Sequence, residues 1–398
     1  MTEPSSETVY QADTLPSPAV LRHVIDVHCH PTDSEIPPVS MDRLPIKICA
    51  MATRGSDQSK VADLATAYPE KVIPCFGYHP WFTHLISLAN PPSSKEDHYT
   101  SLFLPSSVAH DPTHVTALHH LLETLPDPVP VQEILSTLRQ NLLSFPNAML
   151  GEVGLDRSAR VPFHSPTGSA HSRVLSPFTI PIQHQQVILE RQFDLAVELK
   201  RNVSVHSVKA QQSTLETFKK VKDKWGEKWE AISIDMHSCG VSPETWKGIE
   251  ASLCTQSLKI HSNVFLSLST VINSRSPAHT TLIATCSPNR ILVESDIHIV
   301  DLCTQHTWDM VKIVASVKGW RVEEFWDYGE GGEGTAEQQE SWGVVKRLEE
   351  NWKLFQRGNH FSKKSKKKDR IVKSKLANAK VETNTTNEGT IDIEVGGS

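Results

Sequence analysis

The chain has 398 residues, enough for one large α/β domain with appendages or for two ordinary domains. With 38% hydrophobic and 22% charged residues it reads as globular, and no apolar run approaches the roughly 20 residues of a membrane-spanning helix. The formal charge of −6 hides an asymmetry: from Lys363 onward nine Lys/Arg face five Asp/Glu, so the body carries −10, which argues against a broad basic surface for nucleic acid.

The first 20 residues are acidic and polar, unlike a secretory signal, so residues 1–22 read as a flexible segment of an intracellular protein. Short apolar runs then alternate with helix-like stretches, the pattern of a parallel sheet. Strands are expected at 23–30 (HVIDVHCH), 46–53 (IKICAMAT), 72–78 (VIPCFGY) and 148–154 (AMLGEVG). Four more are expected at 202–207 (NVSVHS), 231–237 (AISIDMH), 259–268 (KIHSNVFLSL) and 290–296 (RILVESD). Eight such strands make an α/β fold of the (β/α)8 TIM-barrel type over residues 23–357. An insertion, 84–145, separates the third and fourth strands, and a Ser/Pro/Gly/His-rich loop, 157–180, follows the fourth. The clearest helix is 182–200; residues 327–341 read as a link before a last helix near 342–356. From 358 the chain reads as a disordered tail whose basic run, Lys363 to Lys375, is either a nuclear address or a solvated charge run. Seven cysteines, an odd count without a C-x-x-C pair, indicate free buried thiols in a reducing compartment, cytoplasm or nucleus.

The chemistry lies in the polar residues of these strands. Side chains two apart share a strand face, so Asp26, His28 and His30 project together. Unpaired, three such groups on a buried strand would be costly; a bound metal ion removes that cost. Glu152, His206, His237 and Asp296 recur at the C-terminal ends of later strands, the end of a TIM barrel that carries active sites.

DVHCH (26–30), GYHPW (77–81), GEVGLD (151–156), VSVHSVKA (203–210), MHSCG (236–240) and VESD (293–296), in this order, resemble the TatD-type metal-dependent deoxyribonucleases of the amidohydrolase superfamily. Fungal members with long insertions look most similar. The resemblance spans roughly residues 23–320 and implies a two-metal hydrolase that cleaves DNA phosphodiester bonds as a 3′–5′ exonuclease. It implies that His28, His30 and Asp296 hold one divalent ion (Zn, Mn or Mg) and His206 and His237 a second, with Glu152 bridging. Glu152 and Asp296 are then the catalytic carboxylates, Asp296 as general base toward water. His79 is expected to meet a substrate phosphate; Trp81 beside it reads first as loop packing, with base stacking as the alternative. Asp26 is either an imidazole partner or a structural carboxylate of the barrel floor.

The substrate-contacting positions depart from the family pattern. Val208 and Lys209 stand where an Arg is usual, Ser238-Cys239-Gly240 replace an aromatic-and-Gly turn, Ile297-His298 replace a small residue and Pro, and Arg157 replaces an aromatic. Arg157, Lys209 and His298 are candidate replacement phosphate contacts. Two other readings remain open: a related hydrolase of another ester or amide, and an interaction scaffold that meets a protein partner through the 84–145 insertion or the C-terminal segment.

Overall fold

The computed structural model describes residues 15–91, 93–163, 174–251, 262–329 and 336–360. Eight parallel strands follow one another around a single sheet: β1 Ile25–Cys29, β2 Lys47–Met51, β3 Val72–Phe76, β4 Met149–Asp156, β5 Val203–Val208, β6 Ile234–Met236, β7 Val264–Leu268 and β8 Ile291–Val293. Helices on the outside connect them, which makes the fold a TIM barrel. Most of these strands are buried along their whole length, as strands flanked by a barrel interior and a helical jacket must be. Residues 259–261 of the seventh expected strand lie outside the described residues.

The ring closes at one end. Beyond β8, Asp296 N–H donates to the His28 carbonyl (3.0 Å) and His30 N–H donates to the Ile297 carbonyl (2.9 Å). One turn deeper, the buried Asp26 carboxylate accepts from Ser295 N–H (2.9 Å), Ser295 Oγ–H (2.5 Å) and His28 N–H (3.2 Å). Asp26 therefore sews β1 to the segment after β8 and makes none of the imidazole contacts expected of a tautomer-fixing partner.

The opposite end is plugged by the helix Val344–Arg357. Its Trp352 and Phe355 pack with Ile25, Ile73, Met149, Phe265 and Leu292, while Asn351 Nδ2 donates to the carbonyls of Pro288 (2.8 Å) and Ile291 (2.9 Å). Residues 358–360 continue this packing: His360 Nε2 lies 2.7 Å from Ser233 Oγ. The expected tail, with its basic run, otherwise lies outside the described residues. At the N-terminus, Pro18–Leu21 form a helical turn with Val20 and Leu21 in the main core. The expected flexible segment is thus too long at its C-terminal side, because two apolar side chains anchor it.

Between β3 and β4 the chain adds helices Lys95–Phe103, Pro112–Thr124 and Val131–Ser144. The first two are started by side-chain caps: Ser94 Oγ accepts from Asp97 N–H (3.1 Å) and Asp111 Oδ1 from Thr113 N–H (2.8 Å). They share a satellite core, Tyr99, Phe103, Leu118 and Leu121, with Val161 and Phe178 of an antiparallel pair, Arg160–Pro162 and Leu175–Thr179. Much of the loop expected at 157–180 is therefore a β-ribbon; residues 164–173 lie outside the description. Residues 336–341 form a short helix within the expected link.

Two glutamines of the helix Ile182–Leu199 secure the loops that lead to the barrel mouth. Gln192 accepts from Tyr78 N–H (2.9 Å) and donates to the Tyr78 carbonyl (3.2 Å). Gln185 does the same for Asp156 (2.8 and 2.9 Å). Each side-chain amide takes the place of a missing neighbouring strand. All six described cysteines are buried free thiols; Cys254 lies outside the described residues. Among the described residues no helix is long and apolar enough to cross a membrane.

Candidate active site

The C-terminal ends of β1, β4, β5 and the segments after β3, β6 and β8 converge on one buried carboxylate, Glu152. Its Oε1 lies 2.9 Å from His206 Nδ1, 3.0 Å from His237 Nε2 and 3.3 Å from His79 Nε2. Its Oε2 lies 3.3 Å from His30 Nε2 and 3.5 Å from His28 Nε2. Asp296 Oδ1 stands 3.5 Å from His30 Nε2 on the side nearest solvent. The six side chains singled out as ligands, His28, His30, Glu152, His206, His237 and Asp296, are thus brought together.

Gly154 makes part of this convergence possible. It pairs with His206 across β4 and β5, and a Cβ there would lie 2.0 Å from the His206 carbonyl oxygen at a φ of +156°.

The outer nitrogens of the rings are held as well. His28 Nδ1 meets Ser204 Oγ (2.8 Å), His206 Nε2 meets Asp156 Oδ2 (3.2 Å), and His237 Nδ1 meets Glu294 Oε1 (3.3 Å). These three partners were not identified from sequence, although period two signals two of them: Ser204 precedes His206 by two residues and Glu294 precedes Asp296 by two.

Glu294 also accepts from Ser238 N–H (2.7 Å), Ser238 Oγ–H (2.6 Å) and Ser267 Oγ–H (2.5 Å). Ser267 Oγ lies 3.0 Å from Asp235 as well, and one hydroxyl cannot donate to two carboxylates. Burial and then Glu294 push Asp235 well above the usual carboxylate range, so Asp235 holds a proton and donates to Ser267.

Electrostatics sort the rings into two kinds. Burial favours a neutral ring at every position. At His206 the Asp156 and Glu152 carboxylates outweigh it, and at His237 Glu152 and Glu294 do, so both rings are raised above the ordinary 6.5. His30 is also raised despite burial, chiefly by Asp296. His28 is lowered by burial and by His237 stacked on it at 3.7 Å; its Nε2 lone pair faces the His30 Nε2–H across 3.2 Å. Burial would raise Glu152, yet His79, His237, His28 and His206 hold it well below its usual value.

His79 differs from the rest. Its Nδ1 accepts the backbone N–H of Trp81 (3.1 Å), as a helix cap does, and burial pushes it down to about 4. The neutral ring therefore carries its proton on Nε2 and presents a donor, not a lone pair, to the cage.

Arg157 and Lys209 sit side by side at the rim, where Arg157 N–H donates to the Val208 carbonyl (3.1 Å) and Arg157 Nη2 donates to Ser213 Oγ (2.9 Å). Lys209 and His298 are exposed, and among the described residues neither makes a hydrogen bond or ion pair with the cage. Trp81, read from sequence first as loop packing, is 49% exposed and donates its indole N–H to Asp156 Oδ2 (2.6 Å).

The residue types fit divalent cations. Every ring turns one nitrogen inward, His79 as a donor; His28, His206 and His237 fix the other on an oxygen, the arrangement that sets the orientation of ligating imidazoles. Within 4.8 Å of one another lie donor atoms of His28, Glu152 and His237, and likewise those of His28, His30 and Asp296.

A family model described as TatD related DNase matches residues 25–328. The Cut9-interacting protein scn1 of Schizosaccharomyces pombe is 29% identical over 333 residues, covering 76% of this chain and 95% of that protein. An uncharacterized deoxyribonuclease of Saccharomyces cerevisiae is 24% identical over 253 residues, covering 62% of this chain and 74% of that protein. The crystal structure of an uncharacterized amidohydrolase from Saccharomyces cerevisiae aligns over 83% of this chain and 99% of that chain with a TM-score of 0.51 and 11% identity, a likeness of fold alone.

Proposed function

Because the chain belongs to the TatD related DNase family, we propose that it is a divalent-metal-dependent hydrolase of DNA phosphodiester bonds, acting from a strand end. The observation that carries the proposal is Glu152, a buried carboxylate ringed by five imidazoles with no Lys or Arg ion pair among the described residues. His28, His30 and Asp296 would hold one ion, His206 and His237 a second, and Glu152 both. Such ions supply Lewis acidity and a lowered pKa of bound water.

The chain's own groups do the rest. Asp296 is the carboxylate nearest solvent and is held below its usual range against burial by His30, so it is ionised and able to accept a proton from an attacking water. His79 Nε2–H donates toward the centre, where a phosphoryl oxygen gathers charge. Arg157 follows β4, Lys209 follows β5 and His298 follows β8, so a strand lying across the mouth would meet the guanidinium and ammonium of the first two and the imidazole of the third. An acidic body with such local cations suits recognition of a short segment rather than of long duplex.

The test is release of nucleotides from single-stranded DNA by metal-loaded protein. Activity should vanish with EDTA and in Asp296→Ala, and a fully metallated protein that leaves DNA intact would overturn the reading. Protein contact is a second reading. It is supported by the Schizosaccharomyces pombe relative's name and by exposed Leu88 and Leu143 on the insertion; co-purification with and without that insertion tests it.

A further inference from the structure

Trp81 is the feature that catalysis leaves unexplained. Half of its surface is in water, so its burial contributes little to the core, yet its orientation is fixed at two points. The indole N–H donates to Asp156 Oδ2 (2.6 Å) and the backbone N–H to His79 Nδ1 (3.1 Å). Asp156 is itself rigid, because its Oδ1 accepts from Ser158 N–H (2.7 Å), Ser158 Oγ–H (2.7 Å) and Ala159 N–H (3.1 Å). The indole stands edge-on to both His79 (centroids 4.9 Å apart, planes at 86°) and His206 (6.4 Å, 76°).

A large flat ring held this firmly at the mouth of a cleft has lost its rotamer freedom before any ligand arrives, which is the condition under which an aromatic contributes most to binding. Its 6.4 Å from a cage imidazole is less than two steps of about 3.4 Å, the rise per nucleotide along a strand. The chemistry within reach is therefore that of the base attached to the phosphate in the cage. Paired and stacked inside a duplex, that base offers no free face; unpaired, it offers one.

Resting on the function proposed above, we infer that Trp81 is a prealigned stacking platform for the nucleobase of the nucleotide under attack, and that it directs the enzyme to unpaired strand ends. Asp156 serves the platform and the cage together, through Trp81 on one side and His206 on the other.

Two variants separate stacking from hydrogen bonding. Trp81→Phe loses the indole N–H but keeps an aromatic face; Trp81→Leu loses both. Turnover is compared on a single-stranded oligonucleotide, the same strand with an abasic terminal nucleotide, a blunt duplex and a base-free diester made of two abasic tetrahydrofuran nucleotides, which carries no aromatic ring. Relative to Trp81→Phe, Trp81→Leu should lose about ten- to hundredfold in kcat/KM on the oligonucleotide, mostly in KM, the range of one base–aromatic stack. The two variants should match on the base-free diester, and removing the terminal base should cost the wild type a similar factor and Trp81→Leu nothing further. Equal losses for both variants on every substrate, or an abasic end cleaved as well as a normal one, would overturn the inference. If wild type turns over neither the oligonucleotide nor the base-free diester, the hydrolase reading fails instead. The platform is then decided by fluorescence-anisotropy binding of the dye-labelled single strand to wild type and Trp81→Leu, where equal affinities would reject it.

Discussion

His206 and His237 each face carboxylates with both ring nitrogens, so both rings hold their protons to higher pH than a free imidazole when no cation is bound. A nitrogen that binds a metal ion has first to give up that proton. Glu152 and Asp296 are held below their usual values and take up no protons in the same range. Metal binding is therefore expected to release up to about two protons from these rings. Each proton is worth about 1.4 kcal/mol per pH unit, so affinity should rise by up to about 2.7 kcal/mol, or a hundredfold, per pH unit while both rings remain charged. The sign follows from the raised values: the steep dependence lies below the two folded-state pKa values and flattens as pH rises past them. Isothermal titration of metal-stripped protein with Zn²⁺ or Mn²⁺ in two buffers of different ionisation enthalpy reads the proton count directly. Identical heats in both buffers, with an affinity independent of pH from 6 to 8, would refute the description of these rings as doubly hydrogen-bonded cations.

Gly154→Ala should destabilise by about 3 kcal/mol or more in denaturant unfolding, since its Cβ would sit 2.0 Å from the His206 carbonyl oxygen; a loss under 0.5 kcal/mol would mean the two strands can part without cost. Asp156→Asn should weaken metal binding about ten- to hundredfold in competition with a chelating dye, because it removes the charge that orients His206. His360 is pushed down to about 3 by burial and then by Arg290, so the folded protein keeps it neutral while the unfolded chain protonates near 6.5. Its contribution is present above pH 6.5 and is lost as pH falls toward 3. His360→Gln should accordingly unfold less steeply with acid, by about 1 kcal/mol at pH 5.5, and parallel acid profiles would count against it.

The barrel was legible because buried parallel strands are short continuous apolar runs, and Gly, Pro and charged stretches separate them clearly. His28 and His30 were legible from their spacing, which places both on one strand face. The supporting carboxylates were harder. Asp156 is the last residue of β4, and its meeting with His206 depends on the β4–β5 register, a property of two segments 50 residues apart. Asp26 shares its strand with His28, but its side chain turns to the N–H of Ser295, 269 residues away, a hydrogen bond no local pattern announces. The β-ribbon of the 157–180 loop was missed for a similar reason: Val161 and Phe178 are apolar because helices of the distant insertion cover them.

Closure of the ring has a consequence for assembly. His28 and His30 come from the first strand and Asp296 from just past the eighth, and the hydrogen bonds that bring them together are the same ones that join the two edges. A nascent chain that has emerged only through β7 carries the five histidines and Glu152 but neither Asp296 nor the hydrogen bonds that seat it beside His28 and His30. The full cluster around Glu152 is thus the last part of the barrel to be assembled and is the first to be lost when the two edges part.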